Sequence, residues 1–192
     1  MDTFIQNDIE SLRGFFLVST PQMPDPRFAE QVIYICSHSA EGAIGVSINR
    51  PDSSLTLTQI MREMNLGIPP LDLPPVYIGG PVSLEAAFIL YRNDFRKDAM
   101  GIEVDEQIFL TRDRLMLEAI ASGNGPEDFL FILGYAGWGP GQLEAELHDN
   151  GWLIVPGDDK IIFDLPDSEK WKAAAEHYGI DIVTFNENVG YA

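Results

Sequence analysis

Cys36 and His38 are the residues whose types and spacing most directly suggest covalent chemistry. Two positions apart on an extended strand, they project to one face together with Val32 and Tyr34. About 7 Å separates them along the strand. An imidazolium near a thiol lowers the thiol pKa and supplies a nucleophile with its base. The competing reading is a buried free cysteine serving as a small hydrophobe. Zinc chemistry lacks a ligand pattern, since the one cysteine and the three histidines (His38, His148, His177) are too widely spread. No metal and no cofactor are expected.

Three loops carry other candidate chemistry. Gly79-Gly80-Pro81 follows a strand-like segment, where a phosphate loop would sit. The Gly-Lys-Ser/Thr ending of a P-loop and the G-x-G-x-x-G of a dinucleotide site are both absent. The triplet reads as a tight turn with a glycine at positive φ, or as a small backbone-amide anion site. The segment GYAGWGPGQLE, from Gly134 to Glu144, is the richest. Its Tyr135 and Trp138 sit between glycines, with Gln142 and Glu144 as nearby polar groups, so it could form a stacking cleft. It could equally be a strand-to-helix corner whose tryptophan packs on the core. Asn49-Arg50-Pro51 offers a guanidinium for a carboxylate or phosphate, or for a local salt bridge. No Gly-x-Ser-x-Gly element and no Ser/His/Asp arrangement can be read from the order of residues.

The elements that must position these residues follow from periodicity and punctuation. Strands are predicted over 14–19, 31–38, 43–48, 76–78, 87–91, 107–111, 128–135, 152–155, 160–163 and 180–185. The second and third form a hairpin about Glu41-Gly42, and 128–135, the most apolar, is central. Helices are predicted over 59–64 with Thr56 or Thr58 as cap, over 113–121 with Leu115 and Ile120 facing inward, and over 142–147 after Pro140. A last helix runs from an Asp167 cap through His177 to Gly179. Residues 93–101 read as a charged connection. Strands outnumber helices and cluster in hairpin-like pairs, so strict βαβ alternation fails and the fold class is α+β.

Composition sets the outer limits. The 192 residues carry 30 acids against 12 bases, a formal net charge of −18, with 45% hydrophobic residues. That apolar content is ordinary for a globular chain, so the acid excess does not signal disorder. The acids are spread along the chain with a tilt toward the C-terminus, forming a solvated acidic surface and no interaction tail. A single cysteine fits a reducing compartment. The polar, acidic start MDTFIQNDIESLRG lacks the features of a signal peptide. The best apolar run, Phe129 to Ala136, is far shorter than the roughly 20 residues that span a bilayer. A cytoplasmic protein without membrane contact is expected.

Longer segments make the chain similar to the AlgH/YqgE family of bacterial proteins. They are GFFLVSTPQMPDPRFAEQVIYICSHSAEGAIGVSINRP (14–51), VYIGGPV (76–82), FLFILGYAGWGPGQLEAELHDNGWLIVP (129–156) and WKAAAEHYGIDIVT (171–184). The resemblance spans nearly the whole chain in order. It implies a single domain over 1–192, with 1–13 as a polar lead-in. The implied fold is of bent, partly barrel-like mixed and antiparallel β-sheets with helices packed outside. It implies no established activity, although some relatives carry a label as regulators of transcription. The residues carried over as a candidate surface are Tyr34, Cys36, His38, Asn49, Arg50, Gly79, Gly80, Pro81, Tyr135, Trp138, Gln142 and Glu144. One departure is the ending Gly190-Tyr191-Ala192, where the family pattern has Gly-His-Ala.

The leading expectation is a non-enzymatic binding or regulatory protein that holds a protein or small ligand at the aromatic-glycine loop. The alternatives are an enzyme or redox-sensitive protein using Cys36 and His38, and a regulator that acts on transcription through a protein partner. Direct nucleic-acid binding is disfavoured, because sequence-independent affinity comes from Lys and Arg displacing counterions. Titrating a labelled DNA duplex at low salt should therefore give no saturable binding at micromolar protein; a salt-sensitive micromolar complex contradicts the charge argument.

Overall fold

The computed structural model describes residues 11–92, 101–148 and 151–184. Their backbone forms an α+β domain around a curled, half-barrel sheet, with five α-helices. The strands are β1 (Phe15–Ser19), β2 (Val32–Ser39), β3 (Gly42–Ser47), β4 (Val76–Ile78), β5 (Val82–Arg92), β6 (Ile102–Glu103), β7 (Ile108–Thr111), β8 (Phe129–Trp138) and β9 (Trp152–Pro156). The helices are α1 (Leu57–Glu63), α2 (Arg114–Ala121), α3 (Gln142–His148), α4 (Asp159–Phe163) and α5 (Asp167–Glu176), and a 3-10 turn occupies Pro26–Phe28. The strand order is β6-β7-β5-β8-β3-β2-β1-β9, with β4 joined to β8 beside this path. All neighbours are antiparallel except β4 and β8, which run parallel.

The two faces of the sheet are buried differently, following the period of two along each strand. On one face Phe16, Val18, Val32, Tyr34, Val46, Phe88, Leu90, Leu130 and Ile132 make a continuous core with Ile161 and Ile162 of α4 and Ala174 and Ala175 of α5. The opposite face is divided. Ile89, Tyr91, Phe129 and Phe131 pack with α1 and α2, whereas Leu17, Ile33, Ile35, Ala43, Ala136 and Trp138 pack with Leu143 of α3 and with Trp152. Strand β8 touches all three clusters, as the expected central strand must.

Several elements differ from expectation for local reasons. Residues 160–163 form the helix α4 and not a strand, because Asp158 caps the Lys160 N–H at 2.9 Å and turns Ile161 and Ile162 into the core. Residues 180–184 form no strand: Asp181 Oδ1 accepts from the Val183 and Thr184 N–H groups and bends the chain there. Phe185, residues 93–100 and the C-terminal Gly-Tyr-Ala lie outside the described residues. In α2 the inward residues are Met116, Leu117, Ile120 and Ala121, and Leu115 is 63% exposed. Helix α1 takes Thr56 as its cap, in a reciprocal capping box with Gln59.

Asp167 is the first residue of α5 rather than its cap, and its carboxylate is used elsewhere. It meets the buried Lys170 ammonium at 2.8 Å and accepts from the Tyr77 hydroxyl at 3.2 Å. Lys170 Nζ also donates to the Ile48 carbonyl at 2.9 Å, and Trp171 Nε1 donates to the Ser19 carbonyl at 2.8 Å. Burial pulls the Lys170 pKa below its ordinary value, with Asp167 opposing the shift. At the other end of this face, Arg92 lies among the carboxylates of Asp128, Asp159 and Asp164 and ties α4 to β5 and β8.

A tight backbone approach lies where β4 leaves β8. Gly79 and Gly80 are absent from the residues with positive φ, so the expected left-handed turn does not form. They are glycines because of crowding: a Cβ on Gly80 would stand 2.2 Å from the Tyr135 carbonyl carbon, and one on Gly79 2.4 Å from the Gly134 oxygen. Both obstacles are backbone and cannot rotate away. Gly123, in contrast, has φ +75° with nothing near its missing Cβ, and it ends α2 as a C′ glycine. Gly80→Ala should cost more than about 3 kcal/mol, above the usual overpacking range, and Gly123→Ala only roughly 1 kcal/mol. Denaturant unfolding of the two variants checks this, and equal costs contradict the crossing as described.

Candidate functional site

Cys36 and His38 do not share a face. The β2–β3 register runs Ile35↔Gly45 and then Ser37↔Ile44, so Cys36 is the extra residue of a β-bulge. A bulge reverses the facing of the residues beyond it. Cys36 therefore joins Val32 and Tyr34 in the continuous core, whereas His38 stands opposite Ala43 on the α3 side. The thiol is 2% exposed, with its Sγ directed at the Tyr34 carbonyl. Burial, and secondarily the nearby Asp105, push its pKa up, away from a reactive thiolate.

His38 is held by both ring nitrogens. Its Nδ1 accepts the Leu12 N–H at 2.9 Å, which leaves the proton on Nε2 to donate to Glu144 Oε1 at 2.8 Å. The Glu144 carboxyl is held below its usual pKa, first by a backbone N–H at the start of α3 and then by His38. This pair fastens the bulged end of β2 to α3.

The remaining predicted residues fall into separate places. Tyr34 is fully buried and donates to Asp105, whose other oxygen accepts from the Gln107 and Ile108 N–H groups at the β6–β7 turn. Asn49 is a brace: its Oδ1 accepts from Val32 N–H at 3.0 Å and its Nδ2 donates to the Glu30 carbonyl at 2.9 Å. Arg50 has no carboxylate partner among the described residues, contrary to the local salt bridge considered above. It reaches the Arg27 carbonyl at 3.5 Å beside a shallow groove that Trp171 also lines. Tyr135 packs edge-to-face on Phe88 on the continuous-core side of the sheet.

Three predicted residues do converge. Pro81, Trp138 and Gln142 line a cleft of about 390 Å³ with Met23, Phe28 and Trp152, and with Glu146 among its polar groups. The bonds of Glu146 organise it. Trp138 Nε1 donates to Glu146 Oε2 at 2.9 Å, and Trp152 Nε1 donates to the same oxygen at 3.4 Å. Gln142 Nε2 donates to Oε1 at 3.0 Å, while the Gln142 amide oxygen accepts the Gly139 N–H at 3.1 Å. Phe28 meets Trp152 edge-to-face at 5.6 Å and closes the far wall.

Glu146 and Trp152 were not among the predicted site residues. Part of the signal was present, since Gln142 and Glu146 stand four apart on a helix and so share a face. Trp152 gave no such signal; it reaches the cleft only because β9 pairs with β1, Trp152 opposite Ser19. Among the described residues no group of His, Cys, Asp and Glu is arranged to hold a metal ion, and no helix is long and apolar enough to cross a membrane.

A family model described as AlgH-like, DUF179, matches residues 16–183. The chain belongs to the AlgH-like family. A UPF0301 protein of Desulfotalea psychrophila is 57% identical over 182 residues, covering 95% of each chain. The solution structure of the AlgH protein of Pseudomonas aeruginosa superposes with a TM-score of 0.74 at 39% identity, covering 98% of this chain and 100% of that one. A Corynebacterium diphtheriae protein shares the fold at a TM-score of 0.73 and 20% identity, covering 93% and 92%. None of these three proteins bears a name that states a reaction or a ligand. The resemblance read from the four sequence segments is confirmed.

The sealed thiol gives a direct check. Cys36 should resist iodoacetamide in the native protein, at neutral and at mildly alkaline pH, and react fully once the chain is denatured. Stoichiometric labelling of the folded protein would reopen a nucleophilic role for this AlgH-like cysteine.

Proposed function

We propose that the chain is a non-catalytic binding protein and that it captures its partner at the Trp138–Trp152 cleft. The observation that carries this reading is the cleft itself, with two indoles, Phe28 and Met23 as walls and one carboxylate oriented by three N–H donors. A concave site that is mostly apolar, with few and fixed polar groups, is built for recognition. Its volume lies toward the lower end of small-molecule pockets, so it suits a small ligand or one protruding side chain.

The chemistry of the other candidates supports the same reading. Cys36 is buried on the opposite face from His38, and both nitrogens of His38 are engaged, so the pair lacks the contact a nucleophile needs with its base. Any influence on transcription would then run through the captured partner, because the net charge of −18 opposes contact with a phosphate backbone.

Trp138→Ala and Trp152→Ala each remove one wall. Affinity capture from cells of the source organism should retain a species on the unaltered chain and lose it with both variants. Circular dichroism should show the variants folded. Capture that survives both substitutions places the contact elsewhere.

A further inference from the structure

The bonding of Glu146 also specifies what the cleft accepts. An ionised carboxylate has about four acceptor positions. Among the described residues three of those on Glu146 are filled, two on Oε2 by the indoles and one on Oε1 by Gln142. All three donors are neutral, so they orient the carboxylate without compensating its charge, and no described residue forms an ion pair with it. The cation lining the cleft, Arg27, is committed: its Nη2 lies 2.6 Å from Asp25 Oδ2, and its Nε lies 3.0 and 3.1 Å from the two oxygens of the same carboxylate. Asp25 and Arg27 cancel each other, and Glu146 is left as the net charge of the cleft.

That charge stands at the N–H edges of the two indoles. Trp138 and Trp152 are each 7% exposed, and Phe28 packs against Trp152. The open acceptor position on Oε1 would complete itself with an N–H from a charged donor, the stronger type of hydrogen bond. The acidic surface as a whole raises the local concentration of cations. An anionic ligand would meet repulsion at each of these points.

We infer that the cleft is a receptor for an organic cation, a primary ammonium or guanidinium carried on an apolar or aromatic body. The inference rests on the binding role proposed for this cleft and adds the ligand class. The cation donates to Glu146 Oε1, and its apolar body lies against the indoles and Met23.

The three tryptophans provide the readout. Trp138 and Trp152 line the cleft, whereas Trp171 donates its indole N–H to the Ser19 carbonyl and is an internal reference. In ¹⁵N-labelled full-length protein at neutral pH, 2-phenylethylammonium should shift two indole N–H signals saturably and leave the third in place. The neutral analogue 2-phenylethanol should bind about tenfold more weakly or worse. Nα-acetyl-arginine amide presents the cation as a protein side chain does. Its binding points to a partner protein, and its failure beside a binding amine points to a free metabolite.

Glu146→Gln keeps an acceptor for the indoles but removes the charge, so it should abolish the preference for the amine over the alcohol. A merely structural Glu146 would leave that preference unchanged, which overturns the inference; an unmoved Trp171 signal reports that the variant is folded. Equal binding of alcohol and amine by the unaltered protein also overturns it, while leaving the cleft a binding site. Silence from every probe, with Trp138-dependent partner capture retained, removes the cation and keeps the binding role. Silence together with loss of capture removes both.

Discussion

The crossing of Gly79 and Gly80 over Gly134 and Tyr135 is the constraint on which the rest of the sheet depends. On one edge, β8 pairs with β5 alone. On the other it must serve two strands, β4 at 131–133 and β3 at 136–138. The handover occurs at Gly79, whose N–H donates to the Leu133 carbonyl while its own carbonyl accepts from Ser47 N–H, both at 2.8 Å. Side chains at this point would separate the two backbones and remove β3 from the second half of β8. Trp138 would then lose its place opposite Ala43, and the cleft would lose a wall. The stability of the sheet and the geometry of the cleft thus rest on the same glycines.

Three successive elements meet at the cleft through hydrogen bonds to one carboxylate, and Met23, Phe28 and Pro81 join them from distant parts of the chain. Strand β8 supplies Trp138, helix α3 supplies Gln142 and Glu146, and strand β9 supplies Trp152. Each donor occupies a lone pair that water would otherwise hold, so Glu146 is preorganised before any ligand arrives. His38 and Glu144 fasten the opposite side of α3 to β2. A helix of two turns could not hold such a position by its own propensity, and these contacts fix it.

Periodicity located most strands, and the AlgH-like family was legible from uninterrupted segments such as Phe129 to Pro156. What periodicity could not show was phase. The bulge at Cys36 adds one residue to β2, and every facing assigned beyond it by simple alternation is reversed. A short helix such as α4 has too few residues to display a period, so Lys160 to Phe163 reads as a strand by composition although the Asp158 cap makes it a helix. Trp138 and Gln142 were legible because a glycine-rich corner draws attention to them. Trp152 was not, since its role depends on pairing with a strand more than 130 residues earlier. Local chemistry can be read from sequence, but convergence requires the topology.

Lys170 carries a consequence for the order of assembly. Its ammonium bonds to the carbonyl of Ile48, 122 positions earlier, and the adjacent Trp171 bonds to Ser19, 152 positions earlier. Neither acceptor is in place until β1 and β3 have joined the sheet. Before that point, burying Lys170 would desolvate a cation with Asp167 as its sole fixed counterpart, a costly arrangement. Helix α5 is therefore a latch across β1 and β3: both of its long-range bonds need those two strands in place on either side of β2.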